Sequence, residues 1–265
     1  MKSIKAQKYS WLLIFLTFAG LQRLTGQWTS VGNITDFEKE NDGIIITAPP
    51  AKIHVKILAP NVLRIRMSKD STFLPDSSWA VVNRDLGAKA YTLTDSKVEL
   101  ILSTSEVQLK VRKSPMRLAF YDSKGSLIHQ DESSKGMAWS GTQVAVWKTM
   151  PQDEQYFGFG EKAGALQRKW KTMSMWNSDI PGYKADTDPL YETIPFFYGI
   201  RKGKTYGIFF DNTYYSFFNM GKEHPDEYSF GAIDGELNYY FIYGPTPKEV
   251  VQKFSSLIGT MPLPP

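Results

Sequence analysis

Six residues that suit sugar contact crowd into thirteen positions between Trp176 and Asp188: Trp176, Asn177, Asp179, Tyr183, Asp186 and Asp188. Aromatic faces stack on the apolar faces of sugar rings, and carboxylates accept hydrogen bonds from sugar hydroxyls. The composition is that of a carbohydrate-contact loop. It equally suits an Asx-rich turn with Trp176 buried as core, and the residues alone leave both readings open. Just upstream, Tyr156-Phe-Gly-Phe-Gly-Glu161 alternates two glycines with aromatics and ends on a carboxylate. Glycines so spaced allow close backbone approach or positive φ. No strand–helix pattern with a following Lys-Ser/Thr accompanies them, so this is not a phosphate loop.

Other chemistries find less support. The chain has no cysteine, which excludes disulfides, thiolate catalysis and Cys-type zinc sites. The three histidines, His54, His129 and His224, lack metal-ligand spacing, so no metal or cofactor is expected. No Gly-x-Ser-x-Gly elbow is present. A net charge of +4 without a basic cluster gives no reason to expect nucleic acid.

The elements that must position the aromatic loop are short strands. Ile53, Val55 and Ile57 alternate with polar residues. So do Leu63, Ile65 and Met67, then Val98, Leu100 and Leu102, then Val107, Leu109 and Val111. Period-2 alternation predicts an antiparallel sheet with one buried face. Turn signals lie at 59–61, 94–96, 113–115 and 122–125, the last reading as a hairpin between Phe120 and Leu127. Strands return over 190–243, where Leu237, Tyr239, Phe241 and Tyr243 alternate. Residues 156–190 read as a long irregular loop. The fold class expected is all-β, an antiparallel β-sandwich.

One helix is predicted near the end. Thr246, Pro247 and Glu249 form a capping-box start, Val250, Val251, Phe254, Leu257 and Ile258 fall at helical spacing, and Gly259 stops it. Met261-Pro-Leu-Pro-Pro265 cannot continue a helix. At the other end, Lys2, Lys5 and Lys8 precede an apolar run from Trp11 to Ala19, which predicts a signal peptide over 1–26 and an exported, periplasmic protein without a stable membrane anchor.

Taken together, these motifs resemble the N-terminal part of a glycoside hydrolase family 31 enzyme, the α-glucosidases and α-xylosidases. The resemblance runs from about residue 45 to the end. It is carried by Tyr156–Glu161, by Trp176-Asn-Ser-Asp179 with Asp188-Pro-Leu-Tyr191 and Pro195-Phe196, by Tyr206–Asn212, and by Gly244-Pro-Thr-Pro with Leu257-Ile-Gly259 and Leu263-Pro-Pro265. It implies a galactose-mutarotase-like β-sandwich over 27–243, and a helix and Pro-rich linker over 244–265 leading into a (β/α)8 barrel beyond this sequence. It implies retaining hydrolysis of an α-glycoside or oligosaccharide by two aspartates, both in the barrel. No catalytic residue is then expected in this chain, which alone would be inactive. The resemblance makes Asp179 the sugar-contacting aspartate of the loop, with Trp176 and Tyr183 as weaker candidates for stacking and Glu161 as a brace. Ile180 and Pro181 stand where some members carry a Thr, so leaving-group preference is not carried over. A free-standing carbohydrate-binding module and a purely structural fragment are the alternatives. An independent epimerase would need positioned His and Glu, and none of the three histidines sits in such a context.

Overall fold

The computed structural model describes residues 27–87 and 90–263. The expected signal peptide lies outside them, as do Pro264 and Pro265. Among the described residues no helix is long and apolar enough to cross a membrane.

Among the described residues three sheets make up the fold, with strands numbered in chain order. The six-stranded sheet runs β1 (Thr29–Ser30), β11 (Met137–Ser140), β12 (Gln143–Thr149), β18 (Glu227–Ala232), β17 (Ser216–Asn219), β14 (Thr172–Met175). The five-stranded sheet runs β10 (Leu127–Gln130), β9 (Met116–Asp122), β8 (Val107–Lys113), β7 (Glu99–Ser103), β6 (Thr92–Asp95). The eight-stranded sheet runs β13 (Gln155–Gly160), β15 (Thr193–Arg201), β16 (Lys204–Phe210), β19 (Leu237–Gly244), β5 (Val62–Ser68), β4 (Ala51–Ala59), β3 (Gly43–Ala48), β2 (Asp36–Glu40). Every pairing among these strands is antiparallel.

The inner faces meet in one core. Ile53, Val55 and Ile57 of β4, Leu109 and Val111 of β8, and Val144 and Val146 of β12 belong to the same buried cluster. This is the antiparallel β-sandwich that the alternation predicts. Val98 departs from the expectation: it is exposed and precedes β7. The irregular reading of 156–190 also needs correction, because β14 and all of β13 after Gln155 lie inside it. β14 has only four residues, too few to show a period.

The eight-stranded sheet is covered on its outer face as well. Leu237, Tyr239 and Phe241 of β19 point into the main core, while Tyr240 and Ile242 join a second cluster with Val250, Phe254 and Leu257. A strand buried on both faces loses the alternation of a half-wet one. The covering element is α1 (Pro247–Ile258), which starts with the expected capping box on Thr246 and Glu249. Phe254 stacks on Phe196 with ring centroids 3.9 Å apart. The segment before β6 finishes the cover. The amides of Val82 and Asn83 donate to the Leu257 carbonyl, one of those a helix C-terminus leaves without an internal partner.

Candidate functional site

The glycine–aromatic motif is the end of β13, and the structure explains its glycines. Pairing with β15 shifts register between Gly158 and Gly160. At this bulge Gly158, Phe159 and Gly160 all take positive φ. A Cβ on Gly158 would lie 2.6 Å from the Phe196 carbonyl oxygen, so no other residue fits. Phe159 is driven into the core, where its ring lies 5.1 Å from Phe197 and 4.9 Å from Phe218. The strand then turns out at Glu161, whose amide donates to the Glu192 carbonyl over 2.8 Å. The bulge thereby brings Glu161 and Lys162 beside the aromatic loop.

That loop, residues 176–192, connects β14 to β15 and is tied at its base. Asn177 Oδ1 accepts from the Thr193 amide at 2.8 Å and from its hydroxyl at 2.9 Å. The Ser178 amide donates to the Leu190 carbonyl over 2.9 Å, and Leu190 is buried. Asp188 accepts from the Ser174 amide at 2.6 Å and pairs with Lys162 at 2.5 Å. Lys162 also donates to the Ser174 carbonyl at 2.7 Å. Together Asp188 and Lys162 satisfy backbone groups on the outer side of the edge strand β14, which otherwise offers a pairing template. Asn177 and Asp188 are thus engaged in holding the loop.

The three residues singled out for sugar contact are exposed. Trp176 keeps 52% of its surface accessible, which removes the reading of it as core, and its ring sits 6.0 Å from that of Tyr215. Tyr183 is half exposed and meets Tyr191 edge-to-face at 6.2 Å. Tyr191 donates to the Ile180 carbonyl at 2.6 Å, bracing the tip. Asp179, which precedes Ile180, is exposed. The Tyr191 phenol is raised above its ordinary range, first by partial desolvation and then by Asp179, Tyr183 and Glu161 around it. Tyr183 therefore packs at Tyr191, with Asp179 next to the tethered Ile180 in the chain, whereas Trp176 belongs to a neighbouring feature.

That feature is a groove of about 610 Å³, lined by Trp79, Trp176, Asn177, Thr193, Asp211 and Tyr214 among others. A second hollow of about 280 Å³ shares Trp79, Asp211 and Tyr214 and adds Arg64 and Arg66. Trp79 is 93% exposed and Tyr214 about half exposed. Asp211 is held above the usual carboxylate range by burial, opposed by the Ser78 hydroxyl and by Arg64. Sequence reasoning did not single out Trp79, Asp211 or Tyr214 for a site. The one signal was the Tyr206–Asn212 run, of which Asp211 and Asn212 line both hollows; Trp79 stands in no motif. The arrangement offers exposed aromatic faces and hydrogen-bond acceptors on segments that leave the ends of β14 and β16 and on the stretch between β5 and β6, the chemistry of saccharide binding.

His54 pairs with Glu40 at 2.8 Å, and His129 is buried 3.2 Å from the Tyr228 hydroxyl. Among the described residues no three His, Asp or Glu side chains are grouped to hold a metal ion.

The sandwich is of the galactose-mutarotase-like type. Residues 52–219 match the glycosyl hydrolase 31 N-terminal galactose mutarotase-like domain, and the chain belongs to that family. It is 33% identical over 237 residues to alpha-glucosidase 2 of Bacillus thermoamyloliquefaciens, covering 89% of this chain and 30% of that protein. It is 31% identical over 159 residues to an alpha-xylosidase of Lactiplantibacillus pentosus, covering 57% of this chain and 20% of that protein. The structure of the family 31 dextranase of Flavobacterium johnsoniae, solved with glucose, superposes with a TM-score of 0.85 at 35% identity, covering 89% of this chain and 29% of the dextranase. The chain thus spans less than a third of the length of these relatives.

Proposed function

We propose that this chain is the N-terminal, substrate-site-shaping domain of an exported retaining α-glycoside hydrolase that acts on α-glucosides. The nucleophile and the acid/base would lie in a (β/α)8 barrel following the Leu263-Pro-Pro265 segment, with 27–243 as the sandwich and 244–265 as the connection. The observation that carries this reading is the construction of the 176–192 loop, tied at its base by Asn177, Lys162 and Asp188 while Asp179, Tyr183 and Trp176 stay exposed. In this role Asp179 accepts hydrogen bonds from sugar hydroxyls, and Trp176 and Tyr183 offer stacking faces. The chain leaves α1 through Met261 and Leu263, both about nine-tenths exposed, and Gly259 of this exit lies against Val82. Val82 and nearby Trp79 are themselves exposed, and an apolar face beside the exit suits a docked second domain. The similarity to an alpha-xylosidase supports a second specificity, for α-xylosides.

The test is to extend the reading frame beyond Pro265 and assay its product, alongside the 265-residue chain, on aryl α-glucosides and α-xylosides. The reading expects turnover only by the extended protein, with the glucoside preferred. Turnover by the 265-residue chain would overturn it.

A further inference from the structure

A second groove, of about 430 Å³, lies at the base of the aromatic loop. Its walls include Trp170, Lys171, Lys222, Arg168 and Asp186. It is electropositive: Lys162, Arg168, Lys171 and Lys222 line it against only Asp186 and Asp188. Asp188 is already engaged by Lys162. Among the described residues the ammonium groups of Lys171 and Lys222 have no ion-pair or hydrogen-bond partner. Arg168 is only 5% exposed and spends its terminal nitrogens on the carbonyls of Ala163, Ala165 and Lys162, while its Nε is buried without a partner.

Trp170 is what sets this groove apart from an ordinary basic surface. It is 57% exposed, and its backbone takes φ 61, a left-handed conformation uncommon for an aromatic residue. Such a conformation persists where the surroundings impose it, and it is commonest at binding sites. Here the Trp170 amide donates to the Met220 carbonyl at 2.6 Å, and the Met220 amide returns a bond to the Lys171 carbonyl at 2.8 Å. These two bonds extend the β14–β17 ladder by one rung. They fix Trp170 and Lys171 on one side and, two residues past Met220, Lys222 on the other. Lys169 lies over the indole, 5.5 Å from the ring centroid, and anchors itself on the carbonyls of Pro151 and Gln152.

We propose that this groove binds a carboxylated sugar, a uronate unit of an oligosaccharide. The free face of Trp170 stacks on the pyranose ring, Lys171 and Lys222 pair with the carboxylate, and Asp186 accepts from a ring hydroxyl. An aromatic face beside two unpaired ammonium groups distinguishes such a ligand both from a neutral sugar and from a simple anion. The proposal stands whether or not the loop tip contacts substrate.

The experiment is a titration of the 265-residue chain with indole nitrogens labelled, following the Trp170 and Trp176 N–H signals separately. The probes are D-glucuronate, D-glucose, inorganic sulfate and isomaltotriose. The expected result is a saturable shift of the Trp170 signal by glucuronate at millimolar concentration, at least tenfold weaker with glucose or sulfate. Trp170→Ala should abolish glucuronate binding, read by calorimetry. The K171A/K222A double variant should weaken it about tenfold, with the Trp170 signal of the unliganded protein unmoved. Equal shifts with glucuronate and glucose, equal shifts with glucuronate and sulfate, or no shift would each overturn the proposal. The response of Trp176 to isomaltotriose reports on the loop tip alone, so the two readings fail independently.

Discussion

Lys162 and Asp188 form the ion pair that ties the glycine-bulged strand to the aromatic loop: Nζ and Oδ1 lie 2.5 Å apart, and the Lys162 side chain is 2% exposed. Burial lowers the Lys162 pKa, and the hydrogen bond and charge of Asp188 counter that shift. Removing the carboxylate strands a buried ammonium, which costs about 3 kcal/mol. Asp188→Ala should lower the thermal midpoint and speed hydrogen exchange at the Ser174 amide, which Asp188 also accepts. Lys162→Met should cost less, because Asp188 is partly exposed and can hydrate.

Glu154 gives a pH-dependent signature. It is 2% exposed beside Tyr156 and Tyr206, and burial pushes its pKa from 4.5 to about 7. The folded state then holds a proton that the unfolded chain releases near pH 4.5. This contribution is therefore complete below pH 4.5 and lost as pH rises through about 7. His129, buried and held well below its ordinary value, acts in the opposite direction below pH 6.5. The wild type alone thus mixes two slopes, and a comparison separates them. Glu154→Gln should gain on the wild type by about 2.5 kcal/mol between pH 5 and pH 8 in urea unfolding. A difference independent of pH would remove the assignment.

The helix belongs to the sandwich by its packing. Phe254 lies flat on Phe196 and 5.2 Å from Phe209. Phe254→Ala should cost about 3 kcal/mol in denaturant unfolding and expose the outer face of β16 and β19 to hydrophobic dye. Thr246→Ala removes only the cap and should cost about 1 kcal/mol.

These elements differ in how far they could be read in advance. Thr246, Pro247 and Glu249 are adjacent in the chain, and local chemistry dictated the helix start. The alternation of Leu63, Ile65 and Met67 likewise revealed a strand. The same alternation suggested that Arg64 and Arg66 face water, yet they are 6% and 7% exposed. Their partners are Asp76 and, 170 positions away, Glu236. No local pattern announces so distant a pairing. The aromatic loop was legible because its residues are contiguous. The groove around Trp79, Asp211 and Tyr214 was not, since folding assembles it from connecting segments far apart in the chain. Glu154, one residue before β13, carried no signal, because only the packed core makes its carboxyl unusual.

If the 176–192 loop contributes sugar contacts to an α-glycosidase, substitution of Asp179 should lower turnover without disturbing the fold. The measurement is kcat/KM on an aryl α-glucoside for Asp179→Ala in the protein encoded by the extended reading frame. Asp179 is exposed, so folding should not suffer. Loss of a charged hydrogen bond to substrate, worth about 1.5–3 kcal/mol, predicts a fall in kcat/KM of about 10- to 150-fold at an unchanged thermal midpoint. An unchanged kcat/KM would show that Asp179 does not contact substrate.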